Sequence, residues 1–549
     1  MHQPSLLSRL PFRYAPYIVS LIGLVVSLGL WPVASGWGWA ATIFAALAAL
    51  GTYDIRQKSH TVSRNYPILA HFRYGLESIG PEIRQYFIES DTDAQPFSRE
   101  QRSLVYRRAK NVSDKKAFGS VLDLYAEGYE WMSPSLHPAT IDDHDFRLVI
   151  GADCDKPYSA SVFNISAMSF GALSPNAISA LNRGARDGGF YHDTGEGAIS
   201  PYHRHGGDLV WEIGSGYFGC RNDDGSFSES RFVENATLES VRMIEIKLSQ
   251  GAKPGHGGIL PAAKVTPEIA ATRGVPMGRD VVSPAGHSAF TTPLEMMAFI
   301  ARLRHLSGGK PVGIKLAIGH PWEWFGLVKA MLESDTRPDF IVVDGGEGGT
   351  GAAPLEFINR LGMPLTEALL LVHNTLVGAG LRERIHVGAS GKIISAFDIA
   401  RTIALGADWC NAARGFMFSL GCIQSMSCHT DRCPSGVATQ DPQRGRKLDV
   451  ADKSQRVRQF HENTLEALAE MLAAAGLTHP GQLGPEHVLR RASPTEVQTL
   501  DTLYAYLAPG ELLEGTPTHQ VYRHFWDSAR ADAFRPPEEE LERRQTKLR

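Results

Sequence analysis

"DFIVVDGGEGGTG", residues 339–351, decides the fold because it joins a continuous apolar run to a glycine-rich turn. A run without polar alternation is typical of a strand that is buried on both faces, as in a parallel sheet covered by helices. The same form recurs in segments 160–174, 242–255, 310–319, 384–392 and 407–415. About eight such units predict a TIM (β/α)8 barrel, in which the active site lies at the carboxyl ends of the strands.

The glycines at 346–351 also satisfy G-x-G-x-x-G, the pattern of a dinucleotide-binding turn. In that motif the last glycine opens a helix, whereas here Pro354 interrupts the chain almost at once. The segment therefore favours a barrel loop whose backbone amides approach a ligand at Gly346, with Asp344 and Glu347 as polar contacts. We expect no nicotinamide site within this chain.

Two late strand ends, in segments 386–392 and 411–416, have the composition of a phosphate site. In TIM barrels the loops after the last two strands often bind phosphate through glycine amides and a helix amino terminus. The residues expected to hold the phosphate of a flavin mononucleotide (FMN) are Gly388, Ser390, Gly391, Arg414 and Gly415. The alternative is that these glycines serve only the turns.

Lys247 and Lys315 each stand at the end of an apolar strand. A buried ammonium group is costly without an anionic partner. A cation beside the flavin N1 and O2 atoms would stabilise the reduced, anionic flavin. Both lysines are therefore predicted to contact the cofactor.

Three of the six cysteines are gathered in one short segment, with the spacing C-x5-C-x4-C: Cys422, Cys428 and Cys433. Three thiolates fit an iron-sulfur cluster with three irons, because such a cluster has three cysteine-bonded corners. A zinc site that adds His429 is the alternative, although structural zinc sites favour shorter C-x2-4-C spacing. The spacing by itself leaves both metals open.

Composition excludes some functional classes. A formal net charge of -4 on 549 residues carries no signature of polyanion binding, so we expect no nucleic-acid partner. Cys154, Cys220 and Cys410 are scattered singly, unlike the paired cysteines of a secreted disulfide framework. We therefore expect the catalytic domain in the cytoplasm.

Residues 14–53 contain no charged side chain. As a single helix they would extend about 60 Å, roughly twice the hydrocarbon thickness of a bilayer. Two short spans, 14–30 and 39–53, fit better, and the positive-inside rule puts both ends in the cytoplasm. The basic residues that flank the run are Arg9, Arg13, Arg56, Lys58 and Arg64. A cleaved signal peptide or a helical pair buried in the globule are the alternatives.

Four regions follow from these patterns. They are a membrane anchor (1–53), a helical lead-in (54–154), an FMN-binding barrel with its cysteine loop (155–440), and a C-terminal helical extension (441–549). The last contains a strongly periodic amphipathic segment, "RVRQFHENTLEALAEMLAAAGL", that ends at a glycine.

Five motifs in consistent order resemble the FMN-binding domain of the glutamate synthases, here in a stand-alone, membrane-anchored form. They are "AMSFGALS" (167–174), "DTGEGA" (193–198), "KLSQGAKPGHGGILPAAKV" (247–265), "DGGEGGTGAAP" (344–354) and the cysteine segment through "CPSGVATQ" (433–440). The resemblance implies a TIM barrel that binds FMN beside a 3Fe-4S cluster. It also implies that the three gathered cysteines are the cluster ligands.

The resemblance further implies site residues and an activity. Ala167, Met168 and Ser169 would lie against the flavin, and Gln250 and Lys253 near flavin and substrate. Glu196 and Arg273 would belong to a 2-oxoglutarate pocket. The implied enzyme is an oxidoreductase acting on CH-NH2 groups. It takes electrons from a ferredoxin-like donor through the cluster and reduces 2-iminoglutarate, formed from 2-oxoglutarate and ammonia, to glutamate.

The chain also departs from this family. It opens "MHQPSLL" where full-length members begin with the cysteine nucleophile of a glutamine-hydrolysing domain, so a separate ammonia-producing subunit is expected. His256 stands in "PGHGG" where the family has "PGEGG", and His287 lies in a changed stretch, 283–292. These changes leave two alternatives: a different amino or imino acid or a membrane-linked redox reaction with the same cofactors, and a non-catalytic membrane-tethered scaffold.

Overall fold

The computed structural model describes residues 12–92, 95–515, 517, 519–535 and 541–542. The chain forms two compact units, Met1–Arg99 and Glu100–Arg549. The predicted domain boundaries after residues 53, 154 and 440 stay predictions.

The first unit contains two helices, Ala15–Leu30 and Gly36–Arg56, packed side by side as a hairpin. The Phe44 ring lies 2.6 Å from where a Cβ on Gly23 would stand, so the glycine allows the two helices to approach closely. The Tyr17 hydroxyl is 2.9 Å from Thr52 Oγ1. Among its described residues the unit also contains a 3-10 turn, Phe12–Tyr14, the helices Thr61–Asn65 and Leu69–Ile83, and a π-helical turn, Arg84–Ile88.

The predicted pair of spans therefore exists as a pair of helices. Within the described residues, Gly36–Arg56 alone is long and apolar enough to cross a membrane, while Ala15–Leu30 has 16 residues. Large apolar side chains face outward on both helices, including Val25 (71% exposed) and Trp39 (78% exposed). These features weakly suggest a membrane anchor. Arg9, one of the flanking basic residues, lies outside the described residues.

In the second unit eight parallel strands close into a barrel. They are β1 (Phe163–Ile165), β2 (His192–Asp193), β3 (Leu209–Ile213), β4 (Val241–Lys247), β5 (Val312–Leu316), β6 (Phe340–Asp344), β7 (His386–Ser390) and β8 (Trp409–Ala412). The barrel closes where β8 pairs with β1, with Cys410 in register with Phe163. The predicted TIM-like α/β barrel is confirmed.

Helices follow most strands and cover the barrel. In chain order they are Pro175–Gly188, Glu229–Ala236, Pro267–Arg273, Pro293–Leu306, Pro321–Ser334, Leu355–Arg360, Leu365–Gly378, Ala396–Ala404 and Arg414–Ser419. The helices that start at Pro293 and Ala396 begin with capping boxes, in which the hydroxyls of Thr292 and Ser395 accept backbone N–H bonds. Such caps satisfy amides that have no partner within the helix.

The barrel interior is filled by large side chains set opposite glycines. The Trp409 indole lies 2.4 Å from where a Cβ on Gly388 would stand, and the Phe340 ring holds the same relation to Gly313. Both aromatic side chains are fully buried. Close packing leaves no room for an added methyl group here, so the structure explains Gly388 by packing inside the barrel.

The terminal parts of the second unit combine helices with short strands. Helix Val450–Ala474 packs against Pro175–Gly188, with Val457 in the space that a Cβ on Gly184 would need. Before the barrel come helix Arg99–Ala109 and strands Glu130–Met132, Arg147–Ile150 and Tyr158–Ser161. After it come short helices Pro442–Gly445, Leu500–Leu503, Glu511–Glu514 and Gln520–Phe525, and strands Val488–Ser493 and Glu496–Thr499.

The lead-in and the extension were expected to be helical, and the structure adds strands to both. Glu130–Met132 pairs with Val488–Ser493, which in turn pairs with Glu496–Thr499 across a short turn. The pairing joins segments more than 350 residues apart, so local periodicity carried no signal for it. One further hairpin, Ile259–Leu260 with Val281–Val282, lies in the long connection after β4.

Candidate active site

A buried charge cluster fills the carboxyl-end half of the barrel interior. Lys315 on β5 donates a hydrogen bond to Glu212 on β3 and lies 3.8 Å from Glu245 Oε1 on β4. Asp193 on β2 completes the cluster, and one oxygen from each of the three acids lies within 4.8 Å of the others. All four side chains are buried. Adjacent strands thus contribute one charged residue each to a single layer.

Proton affinities in this cluster follow from its charge balance. Burial, together with repulsion from Glu212, raises the pKa of Asp193 to about 7. Burial and repulsion from Asp193 also raise the pKa of Glu245 well above its usual range. Burial opposes charge on Lys315, but the surrounding acids outweigh it and hold the lysine pKa well above its ordinary value. The anionic partner that Lys315 required is therefore this set of acids, and its predicted flavin contact stays a prediction.

A second ion pair lies beyond the strand ends. Lys247 Nζ is 3.0 Å from Glu196 Oε2. Burial tends to raise the pKa of Glu196, but the nearby cations Lys247, Arg273 and Lys253 outweigh it and lower that pKa. The Glu196 carboxylate lies against two glycines, Gly258 and Gly214. A Cβ on Gly258 would lie 2.2 Å from its Oε1, and a Cβ on Gly214 would lie 2.8 Å from its Oε2. Glu196 is thus held as an anion among cations.

Arg273 and Lys253 supply further buried positive charge beside Glu196. The Arg273 guanidinium donates to the Phe170 carbonyl oxygen at 2.9 Å and lies over the Phe218 ring. Its Nε has no hydrogen-bond partner within the described part of the chain. Burial lowers the pKa of Arg273 to about 10, which still leaves it charged at neutral pH, and burial lowers the pKa of Lys253. A buried guanidinium with an unused donor suits a carboxylate ligand.

His287 contacts the backbone of Lys247. His287 Nε2 lies 2.8 Å from the Lys247 carbonyl oxygen, and Nδ1 lies 3.1 Å from the Tyr217 hydroxyl. A carbonyl only accepts, so Nε2 carries the proton and Nδ1 accepts from Tyr217. Burial lowers the pKa of His287 to about 4, so the ring is neutral at pH 7. The other departure, His256, lies half-buried against Phe357.

Loops from three strands meet at Asp344, the last residue of β6. Its carboxylate accepts from the Ser390 hydroxyl at the end of β7 and from the Gly251 amide, at 2.9 Å, in the loop after β4. A Cβ on Gly251 would lie 1.8 Å from the Gly345 carbonyl oxygen. Asp344 and Ser390 therefore form part of the site's framework, and Gly251 must be a glycine for these loops to meet.

The neighbouring loop residues are also held by backbone contacts. The Gly346 amide donates to the Met363 carbonyl oxygen at 2.8 Å. Glu347 accepts from the Leu365 amide at 2.9 Å. Gln250 contributes its carbonyl oxygen to the amide of Lys253 at 3.3 Å. The sequence placed these residues at the site, and the structure shows the backbone contacts that hold their loops.

The phosphate-site residues divide into two groups. Within the described residues, the backbone N–H groups of Gly391 and Gly415 have no acceptor, so both are available to an anion. Gly388 instead packs against Trp409 inside the barrel. Arg414 points toward the cysteine loop, with Nη1 3.9 Å from Cys428 Sγ. Free amides of this kind fit the binding of a phosphate group, and the predicted phosphate contacts of all five residues stay predictions.

The residues expected against the flavin follow β1 directly. Met168 is buried, and Ser169 lies beside the loop after β2, where a Cβ on Gly195 would stand 2.6 Å from the Ser169 amide nitrogen. Ala167 precedes them at the strand end. The structure therefore brings this segment next to the loop that carries Glu196.

The cysteine loop presents three free thiols. Cys422 and Cys433 are buried and Cys428 is half-buried. Burial opposes ionisation of Cys433, but hydrogen bonds from Ser435 and from backbone N–H groups outweigh it and lower that pKa. The Tyr106 hydroxyl holds the Cys422 carbonyl at 2.6 Å. Three thiols within a loop rich in amide donors fit the ligand chemistry of an iron-sulfur cluster.

Sequence reasoning missed several of the charged residues that the barrel brings together. Asp193, Glu212 and Glu245 were not singled out, although a lone acid inside an apolar strand such as "LVWEI" or "VRMIEIK" signals an inward-facing charge. Tyr217 and Lys264 were also missed. Their roles depend on contacts between loops, for which the sequence holds no local signal.

Replacing His287 should change how stability depends on pH. The folded-state pKa of about 4 lies below the ordinary value of 6.5, so below pH 6.5 the unfolded state binds a proton that the folded state does not. The free energy of unfolding therefore decreases as the pH is lowered from about 6.5 to 4. Between pH 7.5 and 5 the parent should lose about 2 kcal/mol more than His287→Gln, measured by urea denaturation. Parallel pH profiles for the two proteins would contradict this assignment.

Comparisons with known proteins agree on one protein family. Residues 142–478 match the family described as "Conserved region in glutamate synthase". The chain is 38% identical over 492 residues to "Glutamate synthase large subunit-like protein YerD" of Bacillus subtilis, covering 82% of this chain and 93% of that protein.

Two other relatives match over shorter regions. "Archaeal glutamate synthase (NADPH)" of Methanocaldococcus jannaschii is 36% identical, over 57% of this chain and 58% of that protein. "Glutamate synthase (NADPH) large chain" of Bacillus subtilis is 32% identical, over 62% of this chain and 22% of that protein. The matched region is thus about one fifth of the large chain. Together with the barrel and its site, these matches show that the chain belongs to the glutamate synthase family of oxidoreductases.

Proposed function

We propose that this protein reduces 2-iminoglutarate, formed from 2-oxoglutarate and ammonia, to glutamate. The observation that carries the proposal is the buried Arg273 guanidinium, whose Nε is unused within the described residues, beside the second buried cation Lys253. A substrate with two carboxylates would satisfy both cations in a site that excludes water. The names of the relatives are consistent with this substrate class.

In this proposal Arg273 binds one carboxylate of the substrate through its free Nε–H. Lys253 binds the second charged group, and its approach is set by the backbone contact with Gln250. Glu196 keeps Lys247 in place through the 3.0 Å ion pair. His287 holds the backbone of Lys247 through its contact with the Lys247 carbonyl oxygen. The protein thus orients the substrate while charge is balanced around it.

FMN is the proposed redox cofactor, and when bound it would supply the hydride for the reduction. Its phosphate would be held by the amides of Gly391 and Gly415. Lys247 would offer positive charge to the flavin ring, and Ala167, Met168 and Ser169 would flank it. The free amides of Gly391 and Gly415 and the buried cation Lys247 at the end of β4 support this assignment.

Electrons would enter through a 3Fe-4S cluster bound by Cys422, Cys428 and Cys433. A separate ferredoxin-like protein is the proposed donor. Two of the relatives carry NADPH in their names, so the donor should be tested with both reductants. A separate ammonia-producing subunit stays a prediction, and an assay can supply ammonia directly.

We also propose that the helical hairpin anchors the protein in the cell membrane, with the catalytic domain on the cytoplasmic side. The uncharged run 14–53 and the exposed apolar faces of both helices support this location. Arg56 ends the second helix, and Lys58 and Arg64 follow it, as expected on the cytoplasmic side.

An assay of the anaerobically reduced protein tests the substrate. Adding 2-oxoglutarate with ammonia should oxidise the reduced flavin, followed by absorbance, and yield glutamate. Arg273→Lys should raise the KM for 2-oxoglutarate about tenfold or more, because the planar guanidinium contact to the carboxylate is lost. Reoxidation that is the same with and without 2-oxoglutarate would overturn the proposed substrate.

Electron paramagnetic resonance of anaerobically purified protein tests the cluster. The parent should show a three-iron signal, and Cys428→Ser should lose it together with reduction of FMN by a one-electron donor. Cys154→Ser, a change at another half-buried cysteine, should keep both. Stoichiometric zinc without iron in the parent would refute the cluster, and donor-driven FMN reduction in Cys428→Ser would refute its relay role.

Removing residues 1–53 tests the anchor. The truncated protein should move from the membrane pellet to the supernatant on ultracentrifugation, because the exposed apolar surface of the hairpin is removed. Its barrel should still bind FMN, as judged by absorbance. A truncated protein that still sediments with membranes would contradict the anchor.

A further inference from the structure

Lys264 is a buried cation that no step described above uses. It ends the short turn Ala262–Lys264 in the long connection after β4, and it is 4% exposed. Its Nζ donates to the carbonyl oxygen of Cys428 at 2.9 Å and to that of Ala438 at 3.4 Å. These carbonyls lie on either side of Cys433 in the chain. Lys264 therefore joins two points of the cysteine loop.

The position of this charge is fixed. An ammonium that bridges two backbone carbonyls from a buried site cannot turn away to solvent, unlike a surface lysine on its flexible stem. Arg414 is a second cation at the loop, 3.9 Å from Cys428 Sγ. Asp431 lies in the same loop and contributes the opposing negative charge. Two cations therefore contact Cys428, Lys264 at its carbonyl oxygen and Arg414 near its Sγ.

Lys264 also connects this loop to the substrate pocket. It belongs to the same segment as Lys247 and Lys253, which stand beside Glu196. Two residues later, the Thr266 hydroxyl caps the helix Pro267–Arg273, whose last residue is Arg273. The contact of Lys264 with the cysteine loop therefore fixes the chain segment between the cysteine loop and the substrate pocket.

We propose that Lys264 is a positioning residue that fixes the cysteine loop and raises the reduction potential of the cluster bound there. This inference rests on the proposed function, since it concerns the cluster. On reduction, one electron passes from an external one-electron reductant to the cluster, with no bond formed or broken and no proton transferred. A fixed positive charge in a site of low dielectric constant offsets the added negative charge and so favours the reduced state.

A redox titration of the full chain tests the proposal. Dithionite with mediators is the reductant, and the three-iron signal in electron paramagnetic resonance is the readout. The neutral variants are Lys264→Met and Lys264→Gln, and Lys264→Arg keeps the charge. Lys310→Met is the matched control, because Lys310 is also buried and donates to two carbonyls, those of Ala236 and Leu238, before β5 at the other end of the barrel.

At a given potential, the neutral variants should have a reduced-to-oxidised ratio at least tenfold lower than the parent. For a one-electron couple this equals a fall of about 59 mV. Lys264→Arg and Lys310→Met should stay within threefold of the parent.

The outcomes separate the two proposals. A parent without an iron-sulfur signal overturns the proposed function and this inference together. A parent with the signal, and neutral variants with the parent's potential, overturns the role of Lys264 and leaves the proposed function standing. Loss of the cluster in both neutral variants, with retention in Lys264→Arg and Lys310→Met, shows a purely structural role and also overturns the redox inference.

Discussion

The buried ammonium of Lys315 is the charge around which the barrel interior is organised. An ion of this kind costs several kcal/mol to remove from water, and only close carboxylates can offset that cost. Glu212 and Glu245 contact it, and Asp193 lies within the same cluster. Because each of these residues comes from a different strand, the ion cluster requires β2 to β5 to adopt one relative register. Breaking it would leave uncompensated acids inside the barrel.

The long connection after β4 starts beside this charge cluster and extends to the substrate pocket and the cysteine loop. It begins at Lys247, crosses the loop after β6 where Gly251 meets Gly345, and reaches the cysteine loop at Lys264. Along the way it contributes Lys253, and beyond Lys264 it continues into the helix that ends at Arg273. One continuous segment therefore supplies positive charge to the pocket and a tether to the cysteines.

Much of the architecture was predictable. Apolar runs that end in glycine indicated buried parallel strands, and every quoted run overlaps one of the barrel strands. The gathered cysteines and the glycine motifs indicated the family. The strands of the lead-in and the extension were not predictable, because Glu130–Met132 pairs with a segment that is remote in sequence. Gly388 and Arg414 are predicted at the phosphate from their positions within or after late strands, and this role stays a prediction. Packing against Trp409 and proximity to Cys428 are tertiary contacts that strand position does not reveal.

The sequence by itself determined the periodicity of the strands, the residue types at their ends and the crowding of three cysteines in one loop. These are local properties, because burial on both faces of a strand and the spacing of thiols can be read from neighbouring positions in the sequence. Only the tertiary structure decided which charges meet: Lys315 with acids from three strands, Lys247 with Glu196, and Lys264 with the cysteine loop. Electrostatic and hydrogen-bond partners act over a few ångströms in space. The tertiary fold brings them together from positions up to 174 residues apart.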